Sequence, residues 1–357
     1  MLSEAGDRAE RFCAAYGLEA PILMAPMAGA CPPGLAAAVA AAGGMGGCGA
    51  LLMDPEAITR WAAEFRSACD GPFQMNLWIP DAAPQRDAGR ERAVVDHLAQ
   101  WGPRATELSA EPAVPFAEQC DAIVAARPTA MSSIMGLLPP ETVDRLKAAG
   151  IRWFATVTTV EEALLAEAAG ADAVVAQGSE AGGHRGAFHA EHAEARAIGL
   201  VSLVPAVRDA VRLPVIAAGG IADARGVVAA LALGASAVMI GTALLRTPEA
   251  GIAGPWADAI GRARPEDTTL TRAFSGRPGR SLRTAYVAAT ERGDAPEPLP
   301  YPLQRAATGP MRAQGARDHD LARLQAWAGQ SASRAREAPA REVVRDIWAE
   351  ARESLGR

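Results

Sequence analysis

The segment Gly178-Ser179-Glu180-Ala181-Gly182-Gly183-His184 places one imidazole at the end of a run of small residues, directly after the apolar stretch 173–177 that closes on Gln177. Glycine lets a backbone approach a flat ligand closely, and an imidazole titrates near neutral pH, so this pattern suits a cofactor with a base beside it. His184 is the candidate base, able to take a proton from a carbon next to an electron-withdrawing group; a histidine that only caps the loop by hydrogen bonding is the alternative. Its neighbour Arg185 would either dock an anionic substrate or form a surface ion pair with Glu180. His97, His189, His192 and His319 stand among charged residues and read as solvated. No serine or cysteine occupies a nucleophile-elbow pattern, and no Cys/His spacing suits a metal.

Two further apolar runs open at once into glycine: Val215 to Ala218 before Gly219-Gly220, and Ala237 to Ile240 before Gly241-Thr242. Backbone N–H groups in such turns, with a helix start behind them, bind phosphate, and Asp223 is placed to cap the helix after the first turn. Turns that merely join strand to helix are the alternative. The GxGxxG match at 44–49 overlaps an apolar run instead of following one, which disfavours a dinucleotide and leaves a mononucleotide such as FMN. Ala25-Pro26-Met27 ends the first run, where Met27 would lie along a flavin ring or fill the core. Asn76, inside the run 73–78, and Gln177 carry amides that would pair with a flavin edge or with backbone.

The elements that must hold these residues form a regular series. Eight short apolar runs, 21–27, 45–50, 73–78, 130–135, 153–157, 173–177, 215–218 and 237–240, are each followed by turn residues and an Ala-rich segment with helical spacing. The series predicts a (β/α)8 TIM barrel over 1–250, with an open doubly wound sheet as the alternative. A Pro- and charge-rich insertion at 81–127 and a mostly helical unit at 251–357, with amphipathic segments at 321–328 and 341–353, are expected to pack over the face where barrel active sites lie. Only 5% of the 357 residues are aromatic while 50% are hydrophobic, so small aliphatic side chains must supply the packing.

A net charge of −6 with interspersed signs offers no footprint for nucleic acid. The uncharged stretch 21–53 is long enough for a membrane span, but Pro32, Pro33 and five glycines between Gly43 and Gly49 break it. Five cysteines without a CxxC pair suit reduced thiols, and charged residues precede the first apolar run, so a cytoplasmic chain with no signal peptide is expected. An oligomer is compatible with this composition.

These residues resemble the nitronate monooxygenase family, formerly called 2-nitropropane dioxygenases, over nearly the whole chain. The likeness lies in 177–188 (QGSEAGGHRGAF), in 205–245, and, more specifically for the class I branch, in 271–283 (TRAFSGRPGRSLR), Tyr301-Pro302 and 326–330 (AWAGQ). It implies an FMN-dependent barrel enzyme in which Asn76, Gln177, Gly182, Gly220, Met239, Ile240, Gly241 and Thr242 contact FMN. Ala25, Pro26 and Met27 would lie along the ring, with Ala181, Gly183 and Gly219 lining phosphate or ring. His184 would be the base or substrate-binding group, and Tyr301 would reach the substrate. Some class I members carry His where Ile134 stands in 131–136 (MSSIMG), a departure that bears on the substrate. The implied reaction is oxidative denitrification without NAD(P)H: an alkyl nitronate, such as propionate 3-nitronate, gives one electron to FMN, and the radicals combine with dioxygen to release nitrite and a carbonyl compound. Enoyl-acyl-carrier-protein and quinone reductases that use NAD(P)H share the His loop and are the alternative; a flavin carrier without turnover is a third reading.

Overall fold

The computed structural model describes residues 2–110 and 114–356. The predicted runs become strands β1 (Ile22–Met24), β2 (Gly46–Gly49), β3 (Phe73–Trp78), β4 (Ala130–Ile134), β5 (Arg152–Val157) and β6 (Ala173–Gln177). Past a two-residue strand β7 (Gly183–His184) come β8 (Val215–Ala218) and β9 (Ala237–Ile240). All except β7 pair in parallel in the order β1-β9-β8-β6-β5-β4-β3-β2. A parallel bridge between Leu23 and Met45, with Met24 N–H donating to the Met45 carbonyl at 2.9 Å, closes β1 onto β2. The closed ring is a (β/α)8 barrel and excludes the open doubly wound sheet.

Alternation along the strands separates two cores. Phe73, Met75 and Leu77 of β3, Val174 and Ala176 of β6, and Val215 and Ala217 of β8 belong to the large cluster between barrel and helices. Leu23, Met45, Ala130, Phe154, Val175, Ile216 and Met239 form the smaller inner cluster. The N-terminal helix Leu2–Tyr16 plugs this interior from below with Phe12, Cys13 and Tyr16, the Tyr16 ring meeting Phe154 edge-on at 5.2 Å.

The outer ring contains two departures from the sequence boundaries. Phe116–Ala126, inside the expected insertion 81–127, packs on Pro55–Ala68 and occupies the third helical place of the ring. The final helix Ala340–Ser354 packs on Ala224–Ala232 and Pro33–Ala40, filling the eighth place, so the segment 251–357 contributes to both the ring and the covering unit. A third apolar cluster joins the insertion to the covering segment: Val94, Leu98 and Leu108 pack with Phe274, Tyr286, Leu303 and Met311.

The covering segment is less helical than its composition suggests. Strand β10 (Thr268–Thr271) runs antiparallel to β11 (Gly279–Leu282), and β11 pairs with β7 through Gly279–His184 and Arg280–Gly183. These short strands show no apolar alternation; β11 is held between β10 on one side and the histidine loop on the other. The expected helix at 321–328 is also corrected: only Leu321–Arg323 turns, after which the chain extends and Trp327 bridges Ser281. Among the described residues, no helix is long and apolar enough to cross a membrane.

Candidate active site

At the C-terminal mouth of the barrel lies a cavity of about 230 Å³. It is lined by nearly all the residues singled out in sequence: Ala25, Pro26, Met27, Asn76, Gln177, Ala181, Gly182, Gly183, His184, Gly219, Gly220, Met239, Gly241 and Thr242. Ile240 is the exception. It is 1% exposed and packs outward with the ring helices, because alternation along β9 turns Met239 inward and Ile240 away. Tyr301 does not line this cavity either; its ring packs on Trp78 at 5.4 Å and borders a second hollow beside Asp81 and Arg277.

The glycine turns are shaped for a ligand. Gly219 and Gly220 take φ of 119° and 67°, values that favour glycine. Among the described residues, the backbone N–H groups of Gly219, Gly220 and Gly241, each outside the named strands and helices, have no hydrogen-bond acceptor. Asp223 caps the helix Ala224–Ala232 by accepting from the N–H groups of Arg225 and Gly226. The segment 329–331 clasps these turns from outside: Gly329 N–H donates to Thr242 Oγ1 at 3.0 Å, and Ser331 Oγ donates to the Gly220 carbonyl at 2.6 Å. The approach is close enough that a Cβ on Gly182 would stand 2.5 Å from Gly329 N.

Both candidate amides are engaged. Asn76 Nδ2 donates to the Ser132 carbonyl and to Ser132 Oγ, each at 3.1 Å. Gln177 Nε2 donates to the His184 carbonyl at 3.0 Å and its Oε1 accepts from Gly186 N–H at 2.8 Å, so Gln177 shapes the histidine loop from within. Arg185 is neither a surface ion pair nor a docking group. It is 3% exposed and its guanidinium donates to the Gln177 carbonyl, with the Thr158 carbonyl at 3.5 Å, tying the loop to the ends of β5 and β6.

His184 sits between two indoles, with Trp78 and Trp327 at 4.5 and 4.7 Å, both near edge-on. Its Nε2 lies 2.7 Å from Ser275 Oγ. Burial, reinforced by the positive charges of Arg305, Arg277 and Arg312, pushes its pKa down to about 3, so the imidazole is neutral at physiological pH. These cations differ in their compensation. Arg277 is clamped by Asp81 through Nε at 2.7 Å and Nη2 at 2.5 Å. Arg312 binds Thr308 Oγ1, Gln325 Oε1 and the Arg305 carbonyl, without a carboxylate. Arg305 lines the cavity, and its guanidinium has no hydrogen-bond or ion-pair partner among the described residues. Ile134 stands in the same wall and contributes an apolar surface there.

Sequence reasoning assigned no role to Trp78, Trp327, Ser275 or Arg305. The two tryptophans lie inside quoted motifs, and Arg305 sits four residues beyond Tyr301 in the first turn of the helix Leu303–Arg317, so a signal existed for these. Ser275 also lies inside the stretch 271–283, but nothing in the chain marks it out there, because only the β11–β7 pairing brings it to the imidazole.

A (β/α)8 barrel with glycine turns after its last two strands and a neutral histidine at its mouth defines a class of ligand-binding barrel enzymes. The nitronate monooxygenase family model matches residues 10–350. A nitronate monooxygenase from Pseudomonas aeruginosa is 42% identical over 356 residues, spanning 96% of this chain and 99% of its own length. Among solved structures, nitroalkane oxidase from Streptomyces ansochromogenes superposes with a TM-score of 0.84 at 36% identity, covering 95% of this chain and 98% of that one. FabK from Thermotoga maritima reaches 0.75 at 29% identity, covering 97% of both chains. The chain belongs to the nitronate monooxygenase family of FMN-dependent oxidoreductases.

Proposed function

We propose that this chain binds FMN in the barrel-mouth cavity and oxidises alkyl nitronates, propionate 3-nitronate among them, with dioxygen to a carbonyl compound and nitrite. The free N–H groups of Gly219, Gly220 and Gly241 suit a phosphate, and Pro26 and Met27 offer an apolar slab for a ring. Bound FMN supplies the electron acceptor and the route to dioxygen. The protein supplies position and field. Arg305 presents a positive charge to an anionic substrate, and as the cavity-lining guanidinium without a carboxylate it is the group to hold the carboxylate of propionate 3-nitronate. Trp78 and Trp327 wall His184 from bulk water and fix the ring. For a neutral nitroalkane, His184 takes the proton from the carbon bearing the nitro group; for a preformed nitronate it only neighbours the anion.

The observation that carries this reading is the neutral His184 held in a cationic field at the mouth of a glycine-turned cavity. The runner-up, an NAD(P)H-dependent reductase of the same superfamily, shares that cavity and needs a hydride donor. The purified flavin-loaded enzyme separates the two. Dioxygen-dependent nitrite release from propionate 3-nitronate without NAD(P)H is the expected result, and rapid anaerobic bleaching of the flavin by NADPH, with no nitrite formed, would replace it with the reductase.

A further inference from the structure

Ser275 is fully buried in the turn between β10 and β11, and its hydroxyl has two neighbours. One is His184 Nε2 at 2.7 Å. The other is the Arg277 carbonyl, to which Ser275 Oγ donates at 3.2 Å. A carbonyl oxygen only accepts, and a serine hydroxyl has a single hydrogen to give. With that hydrogen directed at Arg277, the serine oxygen is an acceptor toward His184, and Nε2 must be the nitrogen that carries hydrogen. A neutral imidazole has one N–H, so the lone pair is left on Nδ1. Among the described residues Nδ1 has no hydrogen-bond partner, and the ring borders the cavity.

The turn that presents Ser275 is held on all sides. The Ala273 carbonyl accepts from Tyr286 Oη at 2.9 Å and from Gln304 Nε2 at 2.7 Å, and the Phe274 carbonyl accepts from Thr308 Oγ1 at 2.7 Å. Arg277, whose carbonyl takes the serine hydrogen, is itself fixed by Asp81 and by the Ala187 carbonyl at 3.3 Å. The acceptor therefore cannot swing away without disturbing the ion pair of the buried Arg277 guanidinium with Asp81.

We propose that Ser275 is a positioning residue: it locks His184 in the Nε2–H tautomer and so makes Nδ1 the atom that accepts the substrate proton. This rests on His184 acting as the base. When a neutral nitroalkane reacts, the carbon–hydrogen bond breaks, the electron pair stays with the nitronate and spreads onto the nitro oxygens, and the proton forms an Nδ1–H bond. The Nε2–H bond to Ser275 is kept throughout, offsetting part of what burial and the neighbouring arginines cost the imidazolium, and no proton passes through the serine.

Long-range proton–nitrogen correlation spectra of the oxidised holoenzyme, carrying ring-15N histidine, test this directly. His184→Asn identifies the signal by its disappearance. The expected result is protonated Nε2 and bare Nδ1 in the wild type, and a shift toward the Nδ1–H form in Ser275→Ala. In turnover, Ser275→Ala is expected to lower kcat on a neutral nitroalkane by about 10- to 100-fold, within the range of a general base, while kcat on the preformed nitronate stays within about twofold. Nδ1–H in the wild type overturns the proposal without any variant. An unchanged tautomer in a folded, flavin-loaded Ser275→Ala, or a changed tautomer with an unchanged nitroalkane-to-nitronate ratio, overturns it as well. The reading of His184 as base fails separately: His184→Asn would then lower both substrates equally or neither, whatever the tautomer.

Discussion

At the lower end of the barrel, Phe12 and Tyr16 pack on Phe154 among inward-facing Leu23, Val175 and Ala130. Two residues further along β4, β5 and β6, the inward positions are Ser132, Thr156 and Gln177, all lining the cavity. The strands are the same and the alternation is unbroken; what changes is side-chain chemistry over a rise of roughly 7 Å. The floor is closed by apolar area that a terminal helix contributes. The mouth is closed by hydrogen bonds and short strand pairings from residues almost a hundred positions away, such as β7 with β11 and Thr242 with Gly329. The candidate site thus lies at the end where the inward side chains turn polar and distant segments meet by hydrogen bonds and short strand pairings.

Substituting His184 should produce the largest separation of the two ends. Its loss as Asn is expected to lower activity on neutral nitroalkanes by about 10²- to 10⁴-fold while preformed nitronates are largely retained, measured as nitrite release. Stability should move in the opposite direction under acid. The unfolded chain takes up a proton at this residue near 6.5 and the folded chain only near about 3. Between those values the unfolded state binds more protons, so wild-type stability falls as the pH drops, and His184→Asn should flatten that part of the curve in urea titrations at successive pH values. An unaltered slope would mean that the imidazole is not held neutral by burial and neighbouring cations.

Arg305 is expected to give the next largest effect, because it faces the cavity with no carboxylate of its own. A charge-assisted hydrogen bond is worth about 1.5 to 3 kcal/mol. Arg305→Met should therefore raise KM for propionate 3-nitronate by roughly 10- to 100-fold and for an alkyl nitronate without a carboxylate by much less. Equal increases for both would assign Arg305 to the nitronate group they share. The corresponding change at Arg277 would not sharpen this comparison, since its charge is already matched by Asp81 and its loss would disturb the turn that carries Ser275.

The difference between the ends also explains what was legible in the sequence. Strand–turn–helix periodicity placed all eight barrel strands, and the glycine turns at Gly219 and Gly241 were visible because strand and turn are adjacent in the chain. Ile240 came with the stretch 239–242 that the resemblance implies, and its side chain turns away from the cavity because alternation along β9 points Met239 inward. Tyr301 was expected at the substrate, yet what its ring touches is Trp78, a contact across separate elements. Arg185 reads from the sequence as a docking group or a surface ion pair with Glu180, because neighbours in the chain do not show that its guanidinium satisfies strand-end carbonyls. The antiparallel pairing of β7 with β11 left no period to read, since two residues of β7 are too few to show one.

The floor supplies the last and smallest expected effect on catalysis. Phe12 is 3% exposed, touches the Tyr16 ring at 4.5 Å between centroids, and belongs to the cluster that contains Leu23 and Phe154. Truncating a buried phenylalanine leaves a cavity and costs about 3 to 5 kcal/mol. Phe12→Ala should lower the unfolding free energy by that order in denaturant titrations, while the flavin spectrum and the kcat on nitronates stay within about twofold of wild type at temperatures where the variant is folded. The Leu23 and Val175 side chains lie between Phe12 and the mouth, and close-packed interiors transmit strain. A fall in kcat or loss of flavin in the folded variant would therefore show that the two ends are mechanically coupled through that inner layer. An unchanged active site over a destabilised floor would show that the mouth is held by its own clasp of β11, Gly329 and Ser331.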